Sequence, residues 1–129
     1  MLNSGIKGRA ETLVDRANTA SAIGSGAIDV FATPFMIALM EKAAQTSVEA
    51  ELDEGMSTVG TRLDVSHDAA TPIGMRVWAE SVLVEVDARR LVFDVAAYDE
   101  CGLIGQGRHE RFIIKKDKFL AKANSKLDR

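Results

Sequence analysis

Glu41 is the residue whose surroundings point most directly to chemistry. It lies in the stretch Thr33 to Leu52, TPFMIALMEKAAQTSVEAEL, behind Phe35, Met36, Ile37, Ala38, Leu39 and Met40. At helical spacing its neighbours are Ile37, Ala38, Ala44 and Gln45. A carboxylate stripped of water by such neighbours suits general acid–base work. The structural alternative is a carboxylate that reaches the helix surface or pairs with a buried arginine. His67 falls on the apolar side of an alternating segment in which Val59, Leu63, Val65 and His67 share one face. A sheet folded over the helix turns that face toward Glu41; the alternative is a satisfied core histidine. Gly60 interrupts the same segment, on the opposite face by this alternation. There a glycine marks either a close backbone approach, with an amide free for an oxyanion, or a simple bulge. Arg111 and His109 share a face of the last strand, Arg111 to hold an anion or pair with Glu41, and His109 expected at the surface.

Thr33-Pro34 reads as a helix start, the hydroxyl capping free amides and the proline pre-shaped for the first turn. Thr33 precedes Glu41 by eight positions, about 12 Å along a regular helix. The two side chains therefore do not meet within one chain. If both serve one site, either the Thr33 segment departs from regular helix or two symmetry-related chains share the site, and sharing is the favoured reading.

Other chemistries find no support. There is no GxSxG elbow, P-loop or GxGxxG fingerprint. Two histidines without HExxH spacing argue against a catalytic metal, and a single cysteine, Cys101, rules out a disulfide framework or a cysteine zinc cluster.

The elements that must position these residues follow from the pattern. A run apolar on nearly every side predicts a buried helix from Thr33, ended by Asp53-Glu54-Gly55. Strands are expected over 9–16, 58–67, 75–86, 90–98 and 103–116, with a tight hairpin at Asp87-Ala88-Arg89. A loop, SAIGSG from Ser21, leads into the helix, and a short terminal helix over 117–124 takes Asp117 as its cap. Four consecutive antiparallel strands form a meander whose one face the long helix must cover. The class is α+β, in one domain spanning 1–129.

The chain has 129 residues, 47% hydrophobic and 27% charged, ordinary for a soluble globular protein. No secretory leader or membrane-length apolar run is present, and a cytoplasmic location is the expectation. The net charge of −3 is uneven: from Arg108 onward there are eight basic and three acidic residues. That end is either a solvated strand edge and helix or a landing site for a polyanion. An acidic chain with one Trp and one Tyr argues against nucleic acid.

With Thr33-Pro34 opening the helix, Glu41 within it, and Gly60 then His67-Asp-Ala-Ala-Thr-Pro after it, the chain resembles the hotdog-fold acyl-CoA thioesterases. It is most similar to the branch that includes the fluoroacetyl-CoA thioesterase, over roughly Val30 to Lys118, through PFMIALME, VGTRLDVSH, ARRLVF and GQGRHER. The resemblance implies a five-stranded antiparallel sheet wrapped around the helix, and a homodimer or dimer of dimers with sites at the interface. It implies a catalytic Thr33, Glu41 and His67, a Gly60 amide on the thioester carbonyl, and a substrate-contacting Arg111. In the fluoroacetyl-specific enzyme the segment before the helix carries bulky aromatic lid residues. Here that segment is SAIGSGAID, without an aromatic residue before Phe31. The resemblance therefore carries thioester chemistry and not fluoroacetate specificity.

The expectation is an acyl-CoA thioesterase acting on a small or medium acyl group, with no cofactor beyond the CoA thioester itself and no membrane partner. Phe35 and Met36 would supply an apolar pocket, and Lys115 and Lys116 would meet the CoA phosphates. A non-catalytic acyl-CoA or acyl-carrier binder is the alternative. An enoyl-CoA hydratase is a weaker one, since the Asp/His pair of that chemistry is missing.

Overall fold

The computed structural model describes residues 2–129. In chain order it contains β1 (Lys7–Leu13), α1 (Ala20–Ile23), α2 (Thr33–Glu49), β2 (Met56–His67), β3 (Arg76–Asp87), β4 (Arg90–Asp99), β5 (Gly102–Lys115) and α3 (Lys116–Asn124). The strands make one antiparallel sheet in the order β1-β3-β4-β5-β2. The α+β expectation stands, but the meander is shorter than expected. Only β3, β4 and β5 are consecutive neighbours; β2 pairs with β5 at the far edge, and β1 pairs with β3 at the other. The connection from β2 to β3 therefore crosses the sheet, and it does so past the start of α2.

α2 forms because Pro34 fits its first turn and strong helix formers fill the rest. Met36, Leu39, Met40, Ala43, Ala44 and Val48 recur at helical spacing and are buried against the sheet. Facing them are Val77, Leu83, Leu91, Phe93 and Val95, each large aliphatic or aromatic side chain worth roughly 1.5–3 kcal/mol on full burial. Gly8 allows the closest approach: a β-carbon there would stand 2.1 Å from the Ala43 carbonyl oxygen, so β1 packs on α2 only without a side chain.

The helix is not buried all round, because the sheet covers only one of its faces. Pro34, Phe35, Ala38 and Lys42 are exposed on the other. It also ends at Glu49, one turn before Leu52, with the chain turning at Gly55 (φ +81°). β1 ends at Leu13, because Asp15 and Asn18 cap a 3-10 turn reciprocally. SAIGSG is partly helical: Thr19 caps α1, and left-handed Gly24 closes it. α3 starts at Lys116, which puts Asp117 inside the first turn rather than at the cap.

Candidate active site

Two clusters of polar side chains lie along α2, one at its middle and one at its start. The first is built on a bulge in β2. The register with β5 passes from Gly60 opposite Arg111 to Arg62 opposite Glu110, leaving Thr61 as an extra residue. An extra residue reverses the alternation. Thr58 and Gly60 before it, and Leu63, Val65 and His67 after it, all lie on the helix side of the sheet, in rows with buried Leu91, Phe93 and Val95. The sequence reading, which assumed unbroken alternation, put Val59 on that side and Gly60 on the other. The bulge exchanges them.

Arg111 enters this cluster from β5 and is 5% exposed. Its Nε donates to Thr58 Oγ1 at 2.7 Å and its Nη2 to the Thr58 carbonyl at 2.9 Å. Nη1 lies 3.1 Å from His109 Nε2 and 3.6 Å from Glu41 Oε2. His109, expected at the surface, is fully buried, with Nδ1 2.9 Å from the Arg62 carbonyl. Burial lowers the His109 pKa below the ordinary histidine value; the Arg62 carbonyl opposes this and the Arg111 charge reinforces it. The ring is thus neutral, donating from Nδ1 and accepting at Nε2. Burial also lowers the Arg111 pKa, with Glu41 and then Glu49 opposing, and the guanidinium stays charged.

Glu41 meets this cluster from α2 with its side chain 38% exposed, so it is half-open rather than enclosed. Gly60 makes room for it: a β-carbon there would fall 2.6 Å from Glu41 Oε2, 3.1 Å from His109 Cε1 and 3.4 Å from Arg111 Nη1.

The second cluster is at the start of α2. The residue preceding the first turn is Ala32, which makes no side-chain cap. Thr33 is therefore not the cap. Its hydroxyl is 2.7 Å from His67 Nδ1 instead. At this start Ala32 N–H donates to the Asn18 carbonyl, Phe35 and Met36 N–H donate to the Ala32 carbonyl, and Pro34 has no N–H, which leaves the Thr33 amide beside the pair. The crossing connection fixes the pairing: Phe31 N–H donates to the Thr71 carbonyl at 2.9 Å, and Thr71 Oγ1 donates to buried Asp99 at 2.7 Å. Burial lowers the His67 pKa, with the Ala69 backbone and Asp68 opposing. Its Nε2 is shielded and finds no hydrogen-bond partner among the described residues. Beside it opens a recess of about 330 Å³ between Val30, Phe31, Thr33, His67, Ala69 and Ala70.

Of the residues singled out in the sequence, Glu41, Gly60 and Arg111 are together, and Thr33 and His67 are together. The two groups do not meet, because α2 is regular helix from Thr33 to Glu49. Phe35 belongs to neither and lines a separate shallow groove with Phe31, Ala38 and Leu39. Lys115 borders a basic groove with Arg89, Lys118 and Lys122, but Lys116 does not. Thr58 and His109 escaped notice as site residues. Two polar side chains at alternate positions of β5, 109 and 111, facing a core, were the available signal. Among the described residues no group of three His, Cys, Asp or Glu side chains could hold a metal ion.

Comparison with known proteins extends this picture. The family model described as fluoroacetyl-CoA-specific thioesterase matches residues 14–117. The fluoroacetyl-CoA thioesterase of Streptantibioticus cattleyicolor is 43% identical over 98 residues, covering 76% of this chain and 70% of that protein. A solved structure of the fluoroacetyl-CoA thioesterase superposes with a TM-score of 0.91 at 34% identity, covering 98% of each chain. A thioesterase superfamily member from Thermus thermophilus gives 0.91 at 30% identity, covering 100% of this chain and 96% of that one. The sheet curled around α2 is the hotdog fold.

Proposed function

The chain belongs to the fluoroacetyl-CoA-specific thioesterase family, and on that premise we propose that it is a thioester hydrolase that converts a small or medium acyl-CoA to carboxylic acid and CoA. Thr33, Glu41 and His67 form the proposed catalytic set, completed across a homodimer or a dimer of dimers. The observation that carries this reading is a half-open carboxylate braced by a buried cation in one cluster, with an imidazole nitrogen left without a partner among the described residues in the other.

β2 is an edge strand. Pairing of two such edges antiparallel about a two-fold axis would set the His67 end of one copy beside the Gly60 region of the other. Glu41 of one copy would then activate water, or attack the thioester carbonyl to give a mixed anhydride that water hydrolyses. His67, held at Nδ1 by the Thr33 hydroxyl, would hydrogen-bond from Nε2 to the departing sulfur, and the proton that Glu41 takes from water ends on the CoA thiol. The Gly60 amide and the Thr33 amide at the start of α2 are the donors for the carbonyl oxygen, and Arg111 holds the carboxylate. No metal or further cofactor enters these steps.

The CoA phosphates fit the groove of Arg89, Lys115, Lys118 and Lys122, whose side chains make no ion pair among the described residues. No helix among the described residues is long and apolar enough to cross a membrane, in keeping with the cytoplasmic location we assign.

The Glu41–Arg111 contact also fits a purely structural ion pair in a non-catalytic acyl-CoA binder. Thiol release from short, aromatic and long acyl-CoAs by wild type and Glu41→Gln separates the two. Turnover that falls by about three orders of magnitude in a folded variant establishes the enzyme; tight binding without turnover by wild type establishes the binder.

A further inference from the structure

We propose that His109 is a positioning residue: it takes part of Nη1, the one nitrogen of Arg111 that Thr58 leaves for Glu41, and so keeps the arginine from drawing the carboxylate into a close, strong hydrogen bond. The inference rests on the proposed role of Glu41.

The hydrogen bonds around Arg111 carry the argument. Thr58 takes Nε and Nη2 through its hydroxyl and its carbonyl. Only Nη1 can turn toward Glu41, and His109 Nε2 takes part of it at 3.1 Å. What remains for the carboxylate is one contact at 3.6 Å, longer than the 2.7–2.9 Å of a strong charge-assisted hydrogen bond. The carboxylate is thus attracted to the cation without being locked by it, which leaves an oxygen free to act as base or nucleophile.

His109 can do this only as one tautomer. Its Nε2 accepts because Nδ1 carries the hydrogen, and Nδ1 donates to the Arg62 carbonyl. That carbonyl belongs to the residue directly after the bulge at Thr61. The chain of influence runs from the bulge through Arg62, His109 and Arg111 to Glu41. A direct proton-carrying role for His109 does not fit: the ring is fully buried beside Phe93, and both nitrogens are engaged. The missing β-carbon of Gly60 brings ring, guanidinium and carboxylate against one point of backbone.

Two variants separate positioning from simple support of the bulge. His109→Asn keeps a donor near the Nδ1 position, hence the bond to Arg62, but removes the acceptor for Arg111. His109→Gln reaches the Nε2 position with an acceptor. In the intact protein His109→Asn should lower kcat on the order of 100-fold, with KM little changed and thermal unfolding close to wild type, whereas His109→Gln should restore most of kcat. Nitrogen-15 NMR of wild type supplies a readout independent of turnover and of any variant. His109 should appear as the neutral Nδ1–H tautomer, and the Arg111 Nε–H signal should move in His109→Asn but not in His109→Gln. Equal losses in the two variants, or a His109 protonated at Nε2 at neutral pH, would overturn the proposal. If wild type hydrolyses no thioester, the function reading fails while the NMR result still decides how Arg111 is held.

Discussion

The two polar clusters differ in how complete one chain makes them. Around Glu41 three nitrogens of Arg111 have partners, both nitrogens of His109 are engaged, and a backbone bulge and a glycine make the space. Around Thr33, among the described residues, there is one side-chain hydrogen bond, to His67, an imidazole nitrogen without a hydrogen-bond partner, and an open recess. A buried polar network is stable only when its members are satisfied. The first cluster meets that condition within one chain; the second leaves His67 Nε2 outside it. One half of the proposed site is therefore a fixed tool and the other a receptive surface.

The strongest way to break this comparison is to destroy one half in each of two chains. Glu41→Gln and His67→Ala, assayed separately, should each lose about three orders of magnitude in kcat. Mixed under conditions that let subunits exchange, they should recover about a quarter of wild-type activity. Half of the dimers are then mixed, and each holds one site with both native residues. Recovery at that level shows that a site draws its halves from two chains. Activity that stays at the level of the single variants would place the whole site within one chain, against the regular helix between Thr33 and Glu41.

A smaller effect is expected from adding one methyl group at the fixed end. In Gly60→Ala the new carbon meets the flexible tip of Glu41 at 2.6 Å and no backbone, while the His109 ring, 3.1 Å away, has to give by a few tenths of an ångström. The protein should fold with little loss of stability while kcat falls on the order of 100-fold, because the carboxylate is displaced. At the receptive end, Thr33→Val keeps the shape and removes the hydroxyl from His67 Nδ1. About a 10-fold loss in kcat is expected there, since the His67 ring loses its orientation but keeps its proton. A larger loss in Thr33→Val than in Gly60→Ala would reverse the assignment of fixed and receptive ends.

These residues were unequally legible in the sequence. Thr33-Pro34, the apolar run and Glu41 announced the helix because helical spacing depends on neighbours close in the chain. The separation of Thr33 from Glu41 followed from helix rise alone, and the helix is regular over that span. What failed were inferences that needed a second strand. The bulge at Thr61 depends on how β2 meets β5, and it alone decides that Gly60 faces Glu41 and Val59 does not. Exposure was the simple reading of His109 from its own strand; its burial comes from Phe93 and Arg111 packing around it. The lost threonine cap has the same origin, since the hydroxyl that could have bonded its own helix is nearer a histidine from another strand.

The smallest predicted effect concerns acid stability, and it ranks the two ends by burial. Both histidines have their pKa lowered by burial in the folded state. As the pH falls through the ordinary histidine range, the unfolded chain takes up these protons before the folded one does, so stability declines. His109 is fully buried, and Arg111 beside it opposes a second positive charge, while Glu41 from α2 and the Arg62 carbonyl from β2 favour it. His67 is less buried, and Asp68 and the Ala69 backbone favour its charge. The acid-side loss should therefore belong mainly to the fixed end. Between about pH 7.5 and about pH 5.5 the wild-type melting temperature should drop by a few degrees. His109→Gln should remove most of that slope and His67→Gln less of it. Equal slopes in both variants would mean that the two imidazoles are alike in solution, and that the closed end is no more closed than the open one.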